Sequence, residues 1–149
     1  MVLAYMTDAD LYANGQRQND EYWLQEFHQT THTCSRLKDF EVSTSSLRVV
    51  SANSSHLAQA SNGKWLAVGD AANAFDPLSG QGIYKALQSG ILAAKAINEH
   101  LDGNALALAE YDQAMKQDYA RYLQLRSEFY ACESRWPDSI FWQRRTLAR

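Results

Sequence analysis

Residues 65–90 read WLAVGDAANAFDPLSGQGIYKALQSG, and the reading of this stretch decides the rest. The apolar run at 65–68 predicts a short buried strand that ends at Gly69-Asp70. In open α/β sheets, ligands bind at that carboxyl end of a strand. Glycine lets the backbone approach a ligand closely, and the Asp70 carboxylate beside it can accept hydrogen bonds from hydroxyl groups. Because the strand is too apolar to face water, Asp70 is expected at its buried end; in a plain turn, the amides of Ala71 and Ala72 would cap it. Pro77 then fixes an irregular loop, and Gly80-Gln81-Gly82 brings bare backbone amides to the start of a helix. A helix N-terminus carries about half a unit of positive charge and unpaired N–H groups, which suits an anion or a developing negative charge. Glycines at the turns of an ordinary strand–loop–helix would explain any one of these features. Their occurrence in order favours a ligand site.

Working outward, Ile83, Leu87, Gly90, Ile91, Ala94, Ile97 and Leu101 step by threes and fours and predict a helix over 83–101. Ala86, Gly90, Ala93 and Ala94 are small, so this helix can lie close against a sheet or a ligand. Asp102-Gly103 supplies its stop, and Asn104 caps a second long helix to about residue 133. The apolar stripe of that helix is Leu108, Tyr111, Met115, Tyr119, Tyr122, Leu125 and Phe129. Trp136-Pro137 breaks it, and a short final helix starts at Asp138 or Ser139 and runs through Phe141, Trp142 and Arg145.

Upstream, VLAYMT at 2–7 reads as a buried strand and Asn14-Gly15 as a turn within 12–19. Trp23, Leu24, Phe27 and His28 mark one helix from about 20 to 30. A run of serines and threonines follows, and LRVVS at 47–51 is set into it as a strand. Ser61-Asn62-Gly63 reads as a turn. Antiparallel strands with polar outer faces fit this region better than a linker.

The chain has 149 residues, 17 acidic against 14 basic, and is 46% apolar, enough for one ordinary core. Its mild acidity leaves no footprint for nucleic acid. No apolar run nears the roughly 20 residues that span a bilayer. Neither a basic n-region nor a cleavage site follows Met1, so no signal peptide is read and a cytoplasmic location is expected. Cys34 and Cys132 are accordingly expected to be buried thiols rather than a bridge.

Other candidates carry less. His28, His32 and Cys34 form HxxxHxC, but threonines weaken the helix there and no fourth ligand is evident, so no metal is expected. Ser54, Ser55 and His56 are neighbours without a GxSxG elbow, which favours a loop cluster. The tyrosine stripe from Tyr111 to Tyr130 reads as helix core with hydroxyls reaching the surface. Arg135, Arg144 and Arg145 read as a solvated cationic end. No residue has a specific claim to acid–base or nucleophilic work.

GDAANAFDPLSGQGIYKAL resembles the second FAD-contacting motif of flavin-dependent monooxygenases and tryptophan-halogenase-like oxidoreductases: GD, then P, then GxG before a helix. AFDPLSGQGI, with TDADL upstream and RWPDSIFWQRR downstream, is more similar still to one branch: the flavoproteins that help mature quinone-cofactor amino-acid oxidases. The resemblance runs in order over most of the chain, and its central motif is the specific part. It implies that Gly69 and Asp70 match the pair whose carboxylate holds the FAD ribityl chain. Pro77 matches the proline beside the isoalloxazine ring, and Gly80, Gln81, Gly82 and Ile83 match the backbone facing the flavin pyrimidine edge. The GxGxxG that seats the ADP half of FAD in such enzymes does not occur here, nor does the halogenase WxWxIP.

The resemblance therefore implies the C-terminal part of a larger flavoprotein, with an incomplete FAD/NAD(P)-binding flavoprotein fold. That fold is α/β, or α+β for the isolated piece, with antiparallel strands followed by long C-terminal helices. Residues 1–64 are expected to be a remnant of the substrate-binding sheet region, 65–103 the FAD-contacting strand–loop–helix and 104–149 the C-terminal helices. The expected function is that of an FAD-dependent oxidoreductase, monooxygenase or halogenase-like, acting on an aromatic substrate or a partner protein's side chain. Oxygen chemistry would be the flavin's and orientation the protein's. The isolated piece is expected to be inactive, with FAD, a dinucleotide-binding N-terminal half and a protein substrate as partners. A non-catalytic helical interaction module, with the aromatic stripe at 108–130 as its partner surface, is the alternative.

Overall fold

The computed structural model describes residues 2–12, 19–45 and 47–146, so the turn read at Asn14-Gly15 lies outside the described residues. The chain falls into two units, Met1–Ser51 and Ala52–Arg149.

In the first unit, α1 spans Asp20–His28. The Asn19 side chain accepts from the Tyr22 N–H at 3.1 Å, and Asp20 and Glu21 occupy the positive first turn. A second helix, α2 (Thr31–Arg36), stands where threonines argued against one. Thr30 is the reason: its hydroxyl accepts from the Cys34 N–H at 3.2 Å, so a residue poor inside a helix starts one instead. Trp23 and Phe27 stack at 5.9 Å, and Tyr12 meets Tyr22 edge-on at 5.3 Å. The segments at 2–7 and 47–51 are not strands. Val2 is 91% exposed and Val50 78%, and among the described residues neither segment has a ladder partner, without which β-propensity makes no strand.

The second unit holds a minimal sheet. β1 (Ser55–His56) runs antiparallel to β2 (Asn73–Ala74), with Ser55 opposite Ala74 and His56 opposite Asn73. The strand expected at 65–68 is reduced to one bridge, Leu66 opposite Ser61, and Trp65 is exposed. The Ala67 carbonyl goes to the Tyr111 hydroxyl at 2.7 Å instead of to a neighbouring strand. Three helices follow: α3 (Gly82–Leu101), α4 (Ala107–Ala131) and α5 (Ile140–Thr146). The expected stop after α3 is present. Gly103 has φ 99°, its N–H donates to the His100 carbonyl at 3.1 Å, and the Asn104 N–H reaches the Glu99 carbonyl at 2.9 Å. Asn104 accepts from the Leu106 N–H at 3.0 Å, so it caps a turn ahead of α4 rather than α4 itself.

The core consists of Ala60, Ala72, Ala93, Ala96, Tyr111 and Met115. α3 packs through its small residues, Ser89, Ala93 and Ala96, which let its backbone come close. Leu92 packs against the core, but four other large apolar residues face outward: Ile83 is 81% exposed, Leu87 66%, Ile91 73% and Leu101 77%. On α4, Tyr111, Met115, Tyr119 and Tyr122 are buried as expected, whereas Phe129 is exposed and Tyr130 takes the inward position. Three of the tyrosine hydroxyls, those of Tyr111, Tyr122 and Tyr130, bond within the unit instead of simply reaching solvent. Both cysteines are free, Cys34 half-buried and Cys132 exposed, so neither is the buried thiol expected. The architecture is mostly helical with a small antiparallel sheet, the α+β form expected of the isolated piece.

The Tyr111 bond gives a direct test. Tyr111→Phe leaves the Ala67 carbonyl without its partner, and urea unfolding should show a loss of about 1–2 kcal/mol. An unchanged midpoint would mean that the bond contributes nothing.

Candidate cofactor site

The site is built around the start of α3. Gly69 opens a 3₁₀ turn, Gly69–Ala71, at φ +57°. Its N–H donates to Ser89 Oγ at 2.9 Å, and that hydroxyl donates to the Ala86 carbonyl at 3.0 Å. A Cβ on Gly69 would lie 3.2 Å from Ala86 Cβ, so the close approach this glycine permits is to α3. Asp70 is exposed on this turn, not buried at a strand end, because the run before it is not a covered strand. The Ala72 amide donates to the Gly69 carbonyl at 2.9 Å, so it does not cap Asp70.

The next turn, Pro77–Ser79, is started by Asp76, whose Oδ1 accepts from the Leu78 N–H at 2.9 Å. Gly80 closes it at φ +62°, and the Gln81 N–H reaches Ser79 Oγ at 3.3 Å. α3 begins at Gly82 with no side-chain cap, and its first backbone bond runs from the Lys85 N–H to the Gln81 carbonyl at 2.9 Å. The amides of Gly82, Ile83 and Tyr84 precede that bond, and all three residues are exposed. The positive helix end is therefore open, with the exposed Leu78 and Ile83 side chains beside it. Such an arrangement fits an apolar ring with a carbonyl-bearing edge.

The turn is held from α4 by residues that the sequence reading missed. Tyr130 donates to Asp76 Oδ2, and the Asp76 N–H donates to the Tyr122 hydroxyl at 2.8 Å. Burial, and then the neighbouring Asp76 carboxylate, push the Tyr130 hydroxyl up to about 12, while Arg145 opposes the shift, so Tyr130 stays a donor at neutral pH. Lys85 on α3 pairs with Asp118 on α4 and lies 5.9 Å from the Phe75 ring. The dipeptide Asp76-Pro77 was the available signal, since an Asp before a proline commonly starts a turn.

The remaining candidates are occupied by structural contacts. Ser54 Oγ pairs with the Tyr122 hydroxyl at 2.6 Å and accepts from Arg126 at 3.1 Å. His56 Nδ1 is 2.9 Å from the Leu57 carbonyl, and its ring lies 4.8 Å from that of Tyr119. His28 Nδ1 lies 3.9 Å from Cys34 Sγ, and among the described residues no three potential ligands converge. Arg135 pairs with Glu133 in the open. Arg145, expected in solvent, is half-buried with its guanidinium 3.5 Å from the Phe141 ring centre. No helix among the described residues is long and apolar enough to cross a membrane.

Known proteins are similar to this chain in sequence and in fold. The chain is 31% identical, over 144 residues, to the protein designated FAD-dependent oxidoreductase LodB of Marinomonas mediterranea, a match covering 97% of this chain and 38% of LodB. The solved structure of the peptidyl tryptophan dihydroxylase QhpG, essential for tryptophylquinone cofactor biogenesis, matches with a TM-score of 0.73 and 28% identity. That match covers 90% of this chain and 32% of QhpG, so the chain spans well under half the length of either relative. The FAD binding domain family matches residues 3–124, a span that takes in both turns, the open end of α3 and most of α4. The resemblance carried by GDAANAFDPLSGQGIYKAL is thus borne out: this chain belongs to the FAD-binding domain family.

Proposed function

We propose that this chain supplies the flavin-facing turn and helix of an FAD-dependent oxidoreductase of monooxygenase type, and that the enzyme acts on an aromatic side chain of a partner protein. The observation that carries the reading is the uncapped, exposed N-terminus of α3 presented by the Gly80 turn, within a chain of FAD-binding family. FAD, when bound, supplies the redox chemistry. The chain's own residues would hold and orient it. Gly82 and Ile83 would direct their amides to the polar edge of the ring, with Pro77, Gly80 and Gln81 shaping the turn beside it. Gly69 and Asp70 stand at the other turn, Gly69–Ala71, where the exposed carboxylate is available to ribityl hydroxyls. A protein side chain as substrate is supported by QhpG, which is a peptidyl tryptophan dihydroxylase. Residues 65–103 are then the FAD-contacting segment, between a substrate-binding region at 1–64 and the helices of 104–149. A segment carrying GxGxxG completes the cofactor site.

Titration of the purified chain with FAD, followed by flavin fluorescence, tests this reading. Without a pyrophosphate seat in these residues, weak saturable binding is expected, with no stoichiometric flavin surviving gel filtration. A yellow protein with one flavin per chain would show that the account of the missing seat is wrong. The absence of any saturable signal would favour the interaction-module alternative.

A further inference from the structure

α4 reaches the turn ahead of α3 through two buried tyrosines, Tyr122 and Tyr130. Both hydroxyls converge on one residue: Tyr130 donates to Asp76 Oδ2, and Tyr122 accepts from the Asp76 N–H at 2.8 Å. The other carboxylate oxygen of Asp76 starts the Pro77–Ser79 turn through the Leu78 N–H at 2.9 Å. Asp76 is therefore gripped at its backbone and at both oxygens of its side chain. Each tyrosine is itself anchored. Tyr122 shares a hydrogen bond with Ser54 Oγ at 2.6 Å, and Arg126 donates to that same oxygen at 3.1 Å. The Tyr130 ring lies 5.9 Å from Trp142 of α5, with the Arg145 guanidinium 5.6 Å from its centre. A tyrosine that serves packing alone needs one partner anywhere; these two aim at the residue that begins the turn leading to Gly80 and Gly82.

We propose that Tyr130 and Tyr122 are positioning residues for the flavin turn: by holding Asp76 they set where Gly80 turns left-handed, and so where the amides of Gly82 and Ile83 point. This rests on the reading of that turn as a flavin contact. Because Trp142 and Arg145 pack on the Tyr130 ring, α5 becomes part of the support of the site, although it lies far along the chain. Hydrogen bonds to a carboxylate are among the stronger ones, so loss of the Tyr130 bond should be visible locally.

Amide hydrogen exchange on the full chain, with and without excess FAD, tests the proposal in wild type, Tyr130→Phe, Tyr122→Phe, Asp76→Ala and Asp76→Asn. Without FAD, Tyr130→Phe should speed exchange over 78–81, whose amides are hydrogen-bonded within the turn, by about tenfold and leave 93–115 unchanged, the latter confirming that the core is folded. Asp76→Ala should do the same. Asp76→Asn keeps an oxygen for the Leu78 amide and a polar group for Tyr130, and should restore most of the protection lost in Asp76→Ala. FAD should slow exchange over 80–83 in wild type and slow it less in Tyr130→Phe. Unchanged ligand-free exchange in both tyrosine variants overturns the positioning role. If the turn loosens as expected but FAD does not alter its exchange even in wild type, the flavin reading of the turn fails, and with it the claim that these tyrosines serve a cofactor.

Discussion

Gly69→Val is expected to lower the melting temperature by roughly 8–40 °C. Two costs add at this position. Gly69 has φ +57°, a conformation that costs an L side chain roughly 1–2 kcal/mol and is worst for a β-branched one. A Cβ there would also stand 3.2 Å from Ala86 Cβ, and an alanine methyl on a helix cannot swing aside. Overpacking of that kind costs about 1–3 kcal/mol. The sum, about 2–5 kcal/mol, is a large part of the stability of a small domain, and each kcal/mol moves the midpoint by about 4–8 °C. The contact also aligns the Gly69 N–H with Ser89 Oγ, so the variant should separate the turn from α3 as well as strain it. Gly80 is the control: its φ is +62° but a Cβ there meets nothing within 4 Å. Gly80→Val should therefore carry the conformational cost alone and melt well above Gly69→Val. Equal melting temperatures would show that packing of the turn against α3 contributes little.

The contrast between these two glycines illustrates what the sequence carries and what it does not. Both were legible as backbone positions, because a glycine after an apolar run and a glycine before a helix have few other uses. That a Cβ on Gly69 would meet a helix depends on which side of α3 turns inward. Periodicity gives the existence of a stripe and not its destination. Ile83, Leu87 and Ile91 repeat at helical spacing, yet the opposite face, with Ser89, Ala93 and Ala96, is the one covered. Large apolar residues on an uncovered face and small ones at a close contact give nearly the same pattern. The strands failed for a related reason. Val49 and Val50 have the right propensity, but a ladder is a property of pairs of segments, and these residues are exposed. The turn and the helix start were more legible than the strands because a helix start is local chemistry: GQG opens α3 and Asp76-Pro77 begins the turn before it. The supports from α4 were not legible as such: Tyr122 and Tyr130 read as helix core, and nothing in their neighbours marks Asp76 as their partner.

Asp70→Ala should weaken FAD binding about tenfold or more and leave the flavin-free protein as stable as wild type. The carboxylate is exposed, and exposed substitutions away from caps and strained backbone usually stay within about 0.5 kcal/mol. The bonds that shape its turn are the Gly69 N–H to Ser89 Oγ, at 2.9 Å, and the Ala72 N–H to the Gly69 carbonyl, also at 2.9 Å. Neither uses the Asp70 side chain, so the turn should survive its removal. What the carboxylate offers is two acceptor oxygens with a charge behind them. A hydroxyl donating to a charged acceptor contributes about 1.5–3 kcal/mol, and about 1.4 kcal/mol is a factor of ten in affinity. The charge can be separated from the acceptor by Asp70→Asn, which keeps one carbonyl oxygen and should fall between the alanine variant and wild type. Fluorescence titration gives the affinities, and thermal unfolding without FAD gives the stabilities. An alanine variant that melts early but binds normally would make Asp70 a structural element of the turn. One that melts normally and binds normally would remove Asp70 from the cofactor site altogether.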